Sequence, residues 1–154
     1  MLAALTCLLV KEGQKVVYIP DCRGLLYDVF GYLQHSLRLA FHGDECSRKY
    51  LEQCTTVDQL STFCGQAASE FCLLFIIDQA NVLDPHDEAR DRITLDAKRE
   101  ARVLLDKITA PHLKIASATA NYQHAVFDSR RQTGEKKLQV YGGLSDVSPN
   151  VLVP

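Results

Sequence analysis

Apolar positions along this chain fall into two kinds of run, and their alternation sets the fold class. Lys15 to Ile19 is β-branched and aromatic and is stopped by Pro20 and Asp21, which predicts a short buried strand. Phe71 to Ile77 is apolar throughout, without alternation. Such a run predicts a strand covered on both faces, as in a parallel sheet with helices on each side. It ends abruptly in Asp78-Gln79-Ala80-Asn81. A third strand is expected over Leu113 to Ala116, with the polar end Ser117-Ala118-Thr119-Ala120-Asn121.

Helical spacing fills the intervals. Met1 to Val10 is apolar but too short to span a bilayer, and its nearest charges, Lys11 and Glu12, follow it where a signal peptide would place them before. The pattern predicts a helix buried on all sides, ending near Gly13. A chain that starts in mid-core, with no polar lead-in, is what a missing beginning would produce. Leu26, Val29, Phe30, Leu33, Leu37 and Ala40 recur at threes and fours and predict one amphipathic helix over Leu25 to Phe41. Cys46 to Gln53 reads as another. Thr56 and Gln59 form a capping box that opens a helix to about Ser69. Pro85 to Thr109 predicts a long surface helix with an apolar stripe at Ile93, Ala97, Ala101, Leu104, Leu105 and Ile108. The balanced charges from Asp87 to Lys107 are expected on its solvated face. Beyond Asn121 the pattern weakens: Phe127 to Lys137 reads as loop or frayed helix, Leu138 to Tyr141 as a strand stopped by Gly142-Gly143, and 146–154 as an unstructured tail.

Helices alternating with buried strands predict an α/β fold with a parallel sheet, since the connections are long enough for right-handed crossovers. Ligands of such sheets sit beyond the carboxyl ends of the strands. Asp21, Asp78 and the segment Ser117 to Asn121 all fall there.

Composition adds limits. The chain has 154 residues, 47% hydrophobic and 23% charged, the size and balance of one globular domain. A formal net charge of -2 gives no global reason to expect a nucleic-acid or membrane-surface partner. Six cysteines occur without any C-x-x-C spacing, which argues against a zinc site and for reduced thiols inside a cell. The five histidines are scattered, with no Ser-His-Asp or Cys-His pattern.

A carboxylate fixed at the tip of a fully apolar strand suits a Mg²⁺ ligand beside a nucleotide's phosphates. An Asp that merely caps the next turn satisfies the same pattern. The run Phe71 to Asp78 resembles the Walker B motif of additional-strand P-loop ATPases. Those families usually place a second acid after the Asp, to polarise the attacking water; here Gln79 follows, which orients water but is a poor proton acceptor. Leu113 to Asn121 is similar to their sensor 1 strand, with Asn121 as first candidate near the γ-phosphate and Ser117 and Thr119 behind it. Arg130 and Arg131 are candidates for a phosphate-reaching arginine, although a solvated basic turn reads as well.

Four segments in order, Lys15 to Cys22, Ile76 to Asn81, Ala116 to Asn121 and Tyr141 to Ser145, are similar to the NTPase domain of Crinkler-type proteins, modular proteins many of which are host-translocated effectors. The resemblance covers roughly residues 1–145. It implies a partial three-layer α/β/α parallel sheet of a P-loop NTPase, with the second, third and fourth strands adjacent, the Asp78 strand in the middle, and the first strand missing. It also implies Mg²⁺ and ATP as cofactors of a full-length parent. The sequence departs from the family at one decisive place: it contains no Gly-Lys dipeptide, hence no G-x-x-x-x-G-K-S/T loop. Nucleotide binding by these residues alone is therefore expected to be poor, with none of those cofactors held. The strand over Leu113 to Ala116 is expected to present an unpaired edge to a missing segment or a protein partner.

Two rival readings stand beside this one. A non-catalytic remnant or interaction module would keep the α/β fold without nucleotide chemistry. A phospho-receiver-like domain would use Asp21 and Asp78 as acids and Thr119 as switch hydroxyl, though the spacing of the acids fits badly.

Overall fold

The computed structural model describes residues 2–70, 72–84 and 93–118. Contacts divide the chain into one unit over Met1–Tyr122 and another over Gln123–Pro154, and every described residue belongs to the first. The expected strand at Leu138 to Tyr141, the basic turn and the boundary at residue 145 lie outside the described residues.

The fold is mixed α/β. Its elements run α1 (Leu2–Lys11), β1 (Val16–Ile19), α2 (Arg23–Tyr27), α3 (Val29–Ala40), α4 (Glu45–Gln53), α5 (Val57–Glu70), β2 (Leu74–Ile77), a 3-10 turn (Ala80–Leu83), α6 (Leu95–Thr109) and β3 (Leu113–Ala116). The three strands form one parallel sheet in the order β1-β2-β3, with Val16 opposite Leu74 and Leu74 opposite Leu113. The strand carrying Asp78 at its tip is therefore central.

Strand alternation sorts the sheet's side chains. Val17, Ile19, Phe75 and Ile77 enter one core with Leu33 and Leu37 of α3, Leu60 of α5 and Leu105 of α6. Val16, Tyr18, Leu74, Ile76, Leu113 and Ile115 share the opposite face by register. An aromatic group joins helices on the core side: Phe63 meets Phe41 edge-on at 5.1 Å and stacks on Tyr50 at 5.6 Å.

Local chemistry accounts for most boundaries. Gly13 adopts φ +80 just past α1, and the Gln14 N–H bonds back to the Leu9 carbonyl at 2.9 Å, closing that helix end. The capping box is present: Gln59 N–H donates to Thr56 Oγ1 at 3.3 Å while Gln59 Oε1 accepts from Thr56 N–H at 3.1 Å.

Four expectations fail. The long helix expected from Pro85 begins at Leu95, where Thr94 caps it by accepting the Ala97 N–H at 3.2 Å, so Ile93 precedes the helix and is not part of its stripe. Helix α1 is not buried on all sides: none of its residues is buried, and Leu8 is 55% exposed. It lies outside the core cluster, and the apolar composition that suggested full burial instead leaves an uncovered flank at Ala3, Ala4, Cys7 and Leu8. The single helix expected from Leu25 to Phe41 is two. Asp28 breaks it by leaving the helical region, at φ -151 and ψ 85, and accepting the Gly31 N–H at 2.8 Å, which caps α3. The charges of α6 do not all face solvent, since Lys98 is 4% exposed. Lys98 lies three residues before Ala101, on the same buried stripe as Leu105 and Ile108.

Among the described residues no helix is long and apolar enough to cross a membrane. All six cysteines are free, with Cys22, Cys54 and Cys64 buried.

Candidate functional site

The carboxyl ends of the three strands converge. β2 hands directly into Asp78, whose N–H donates to the Ile19 carbonyl at 2.8 Å and so continues the ladder with β1. On the other side Ser117 extends β3, its N–H bonding the Ile77 carbonyl at 2.9 Å and its carbonyl accepting from Ala80 N–H at 2.8 Å. Main-chain bonds thus pin both sides of the Asp78 position before any side chain acts.

The side chain is then oriented. Asp78 Oδ1 accepts from the Ser117 hydroxyl and from the Gln79 N–H, the latter at 2.9 Å. Oδ2 has no hydrogen-bond partner among the described residues, and no Lys or Arg pairs with the carboxylate there. A half-buried carboxylate with one oxygen held and the other open is arranged to take a cation or an ordered water.

Gln79 sits in a left-handed conformation, φ 57 and ψ 38, the only non-glycine among the described residues with positive φ. The strand must turn sharply there to enter the 3-10 turn, and the Asp78 carboxylate captures the N–H exposed by that turn. Non-glycine residues hold this conformation at a cost of order 1 kcal/mol, and such outliers cluster at functional sites.

Protonated groups surround the carboxylate. The Cys22 thiol is pushed up to about 12 by burial, with the charges of Asp21 and Asp78 adding to it. Burial also raises the Tyr18 phenol, again with the Asp78 charge contributing. Both stay neutral at ordinary pH. Asp21 follows β1, where its Oδ1 accepts from Arg23 N–H at 2.9 Å and its own N–H donates to Tyr32 Oη at 3.3 Å.

The structure therefore brings together Asp78, Gln79 and Ser117 of the sequence-predicted residues. Thr119, Asn121, Arg130 and Arg131 lie outside the described residues. Reading the sequence alone missed Tyr18 and Cys22. No sequence signal marks Tyr18, because its place opposite Ile76 follows from the β1–β2 register. Asn81 and Asp84 of the turn after Gln79, and Lys98 of α6, are also buried polar groups, and each has a partner.

Among the described residues no group of three or more His, Cys, Asp or Glu side chains is placed to hold a metal ion. A metal at Asp78 would take most of its ligands from water or from a bound phosphate, the usual arrangement for Mg²⁺. No protein-family model matches the chain, and no curated protein or solved structure matches it.

Proposed function

We propose that this chain is part of a P-loop NTPase of the additional-strand class, similar to the Crinkler-type NTPase domain, in which Asp78 faces the Mg²⁺ of bound ATP. One observation supports it above the others: the Asp78 carboxylate at the tip of the central strand is held by the Ser117 hydroxyl at the tip of its neighbour. A Walker B strand beside a polar-tipped sensor strand has this order.

The residues present fit a Mg²⁺ ligand through the open Oδ2 of Asp78. When bound, such an ion would neutralise charge on the phosphate oxygens. Ser117 orients the carboxylate, and Gln79 stands where a water-positioning residue belongs. With no Gly-Lys in the sequence, the phosphate grip must come from another segment of the parent protein.

The test is to read and express the coding sequence that precedes Met1. An in-frame G-x-x-x-x-G-K-S/T within about twenty codons, with Mg-ATP binding by calorimetry that Asp78→Asn abolishes, is the expected result. A lengthened protein with no such loop and no nucleotide binding sinks the proposal. In that event the second reading, an interaction module that retains the fold, is favoured by the exposed Leu113 and Ile115 of β3.

A further inference from the structure

β3 is the least supported strand of the sheet. All its residues are exposed, whereas β1 is buried at Val16, Val17 and Ile19. Among the described residues β3 pairs only with β2. Its two ends are held by the Leu113 N–H on the Leu73 carbonyl at 3.2 Å and the Ser117 N–H on the Ile77 carbonyl at 2.9 Å. Across the sheet, β2 is held to β1 by the Leu74 N–H on the Lys15 carbonyl at 3.0 Å and the Asp78 N–H on the Ile19 carbonyl at 2.8 Å. A strand with few buried contacts opens locally at less cost than the whole fold.

Side chains fasten β3 at both ends. At its tip the Ser117 hydroxyl holds Asp78. At its start stands His112, on the turn from α6, its own N–H bonded to the Thr109 carbonyl at 3.0 Å. The ring joins two further elements. Nδ1 accepts from the Leu73 N–H at 3.3 Å, so both main-chain groups of Leu73 are tied to His112 and Leu113. Nε2 reaches the Cys64 carbonyl of α5 at 3.0 Å, and the ring centroid lies 5.6 Å from that of Phe75 on β2. The Lys114–Asp106 pair also links β3 to α6, but it is exposed and contributes little.

This arrangement needs a neutral ring. A proton on Nδ1 sets two donors against each other and breaks the bond to Leu73, whereas a ring released to water takes the proton freely. The surroundings do not offset that. On α5 the residues a turn either side of Cys64 are Leu60, Ser61, Ala67 and Ala68, and burial pushes the Cys64 thiol up to about 12. Before β2 the Cys72 thiol donates to the Leu73 carbonyl at 3.5 Å. On α6 Asp106 is engaged by Lys114 at 2.9 Å and Arg102 at 3.7 Å, and Lys107 by Asp58 of α5 at 2.9 Å.

We propose that His112 is a proton-operated latch for β3, whose protonation frees the strand from β2 and α5 while the β1–β2 pair stays closed. A strand of four residues does not loosen at one end and hold at the other, so opening also withdraws the Ser117 hydroxyl from Asp78. Any consequence for a ligand at Asp78 rests on the nucleotide reading; the latch itself does not. The direction follows from the proton count. The open form binds its proton near 6.5 and the closed form only at lower pH, because burial lowers the His112 pKa there. Opening is therefore rare above 6.5 and rises about tenfold for each pH unit below it, until the closed form also takes the proton.

The experiment is native-state amide hydrogen exchange of the full chain between pH 5 and pH 8, with each rate corrected for the pH dependence of chemical exchange. The Leu113 and Ser117 amides are expected to lose protection by roughly tenfold toward pH 5, while Leu74 and Asp78 on the other side of β2 change much less. Ring-proton shifts of His112 in the same samples should titrate together with the loss at Leu113. His112→Gln cannot titrate and should abolish the difference between the two pairs of amides. If that variant fails to fold, the coincidence of His112 titration and Leu113 exchange in the unaltered chain still decides. Equal loss at all four amides would mean global unfolding and overturn the latch. So would a pH-dependent difference that persists in His112→Gln, or a His112 titration that leaves Leu113 unchanged.

Discussion

Ser117 donates its hydroxyl to the carboxylate of Asp78, tying the tip of β3 to the tip of β2 through side chains as well as main chain. The bond is part-buried, so removing the donor strands one side of Oδ1 without exposing a new cavity. Ser117→Ala is expected to cost about 1 kcal/mol in urea unfolding. Asp78→Asn keeps an oxygen that can accept from both Ser117 and Gln79, and should change stability by less than about 1 kcal/mol. A much larger loss in Asp78→Asn would show the carboxylate to be structural, and would remove the main reason for assigning it a ligand.

Gln79 gives a second, opposite prediction. Its φ of 57 is a conformation that glycine adopts freely and a β-branched residue resists. Gln79→Gly is expected to leave stability unchanged or raise it by up to about 1 kcal/mol, while Gln79→Val lowers it by about 1–2 kcal/mol. Thermal unfolding of the pair reads this directly. If Gln79 serves only the turn, Gln79→Gly should be neutral in every assay of a nucleotide-binding parent. A loss of hydrolysis there with unchanged stability would assign the side chain to water positioning.

The sheet was legible in the sequence because its signals are local. An unbroken apolar run ending in Asp78 can be read without knowing what packs against it, and connections of adequate length predict parallel strands; the order with the Asp78 strand central was expected only from the family resemblance. The failures share a different cause. Whether Leu8 is buried depends on what lies beside α1, and composition does not carry that information. Asp28 interrupts α3 because its carboxylate can reach the Gly31 N–H, a competition that periodicity ignores. Lys98 was assigned to solvent on its charge alone, although its position relative to Ala101 and Leu105 placed it on the apolar stripe. At the candidate site, Asp78 and Ser117 were readable as strand ends. Tyr18 and Cys22 were not, because their relation to Asp78 exists only once β1 and β2 are in register.

His112 supplies a pH dependence. Leu73 N–H donates to its Nδ1 at 3.3 Å, and its Nε2 lies 3.0 Å from the Cys64 carbonyl, to which it donates when neutral. These two partners together require the neutral ring, since a protonated Nδ1 would face another donor. Burial accordingly lowers the His112 pKa from 6.5, opposed in part by the Cys64 carbonyl. A histidine with a depressed folded pKa leaves the unfolded state holding more protons. Stability is then full above about 6.5, falls as pH drops from there toward the folded pKa, and levels off below it. Urea midpoints between pH 5 and pH 8 should show this fall in the native chain and a shallower one in His112→Gln. Parallel curves would mean that other groups set the acid limit.

The last prediction concerns β3, whose residues are all exposed, with Leu113 at 63%. Leu113 and Ile115 lie on one face of the sheet by register, and Lys114 points to the other. A lysine on an edge strand ordinarily discourages pairing with another chain. Here Lys114 Nζ is drawn onto the Asp106 carboxylate of α6 at 2.9 Å, which neutralises that protection. The strand has no proline, and among the described residues it pairs only with β2. Concentration-dependent self-association through this edge is the expected result in light scattering. Ile115→Lys places a charge on the exposed apolar face and should suppress it, while Asp106→Ala frees Lys114 and should suppress it in part, at a stability cost no larger than that of an exposed pair, about 0–1 kcal/mol. The opposite edge strand offers a control, because Val16→Pro on β1 should leave self-association unchanged if β3 is the edge responsible. Suppression by Val16→Pro and not by Ile115→Lys would move the association to β1.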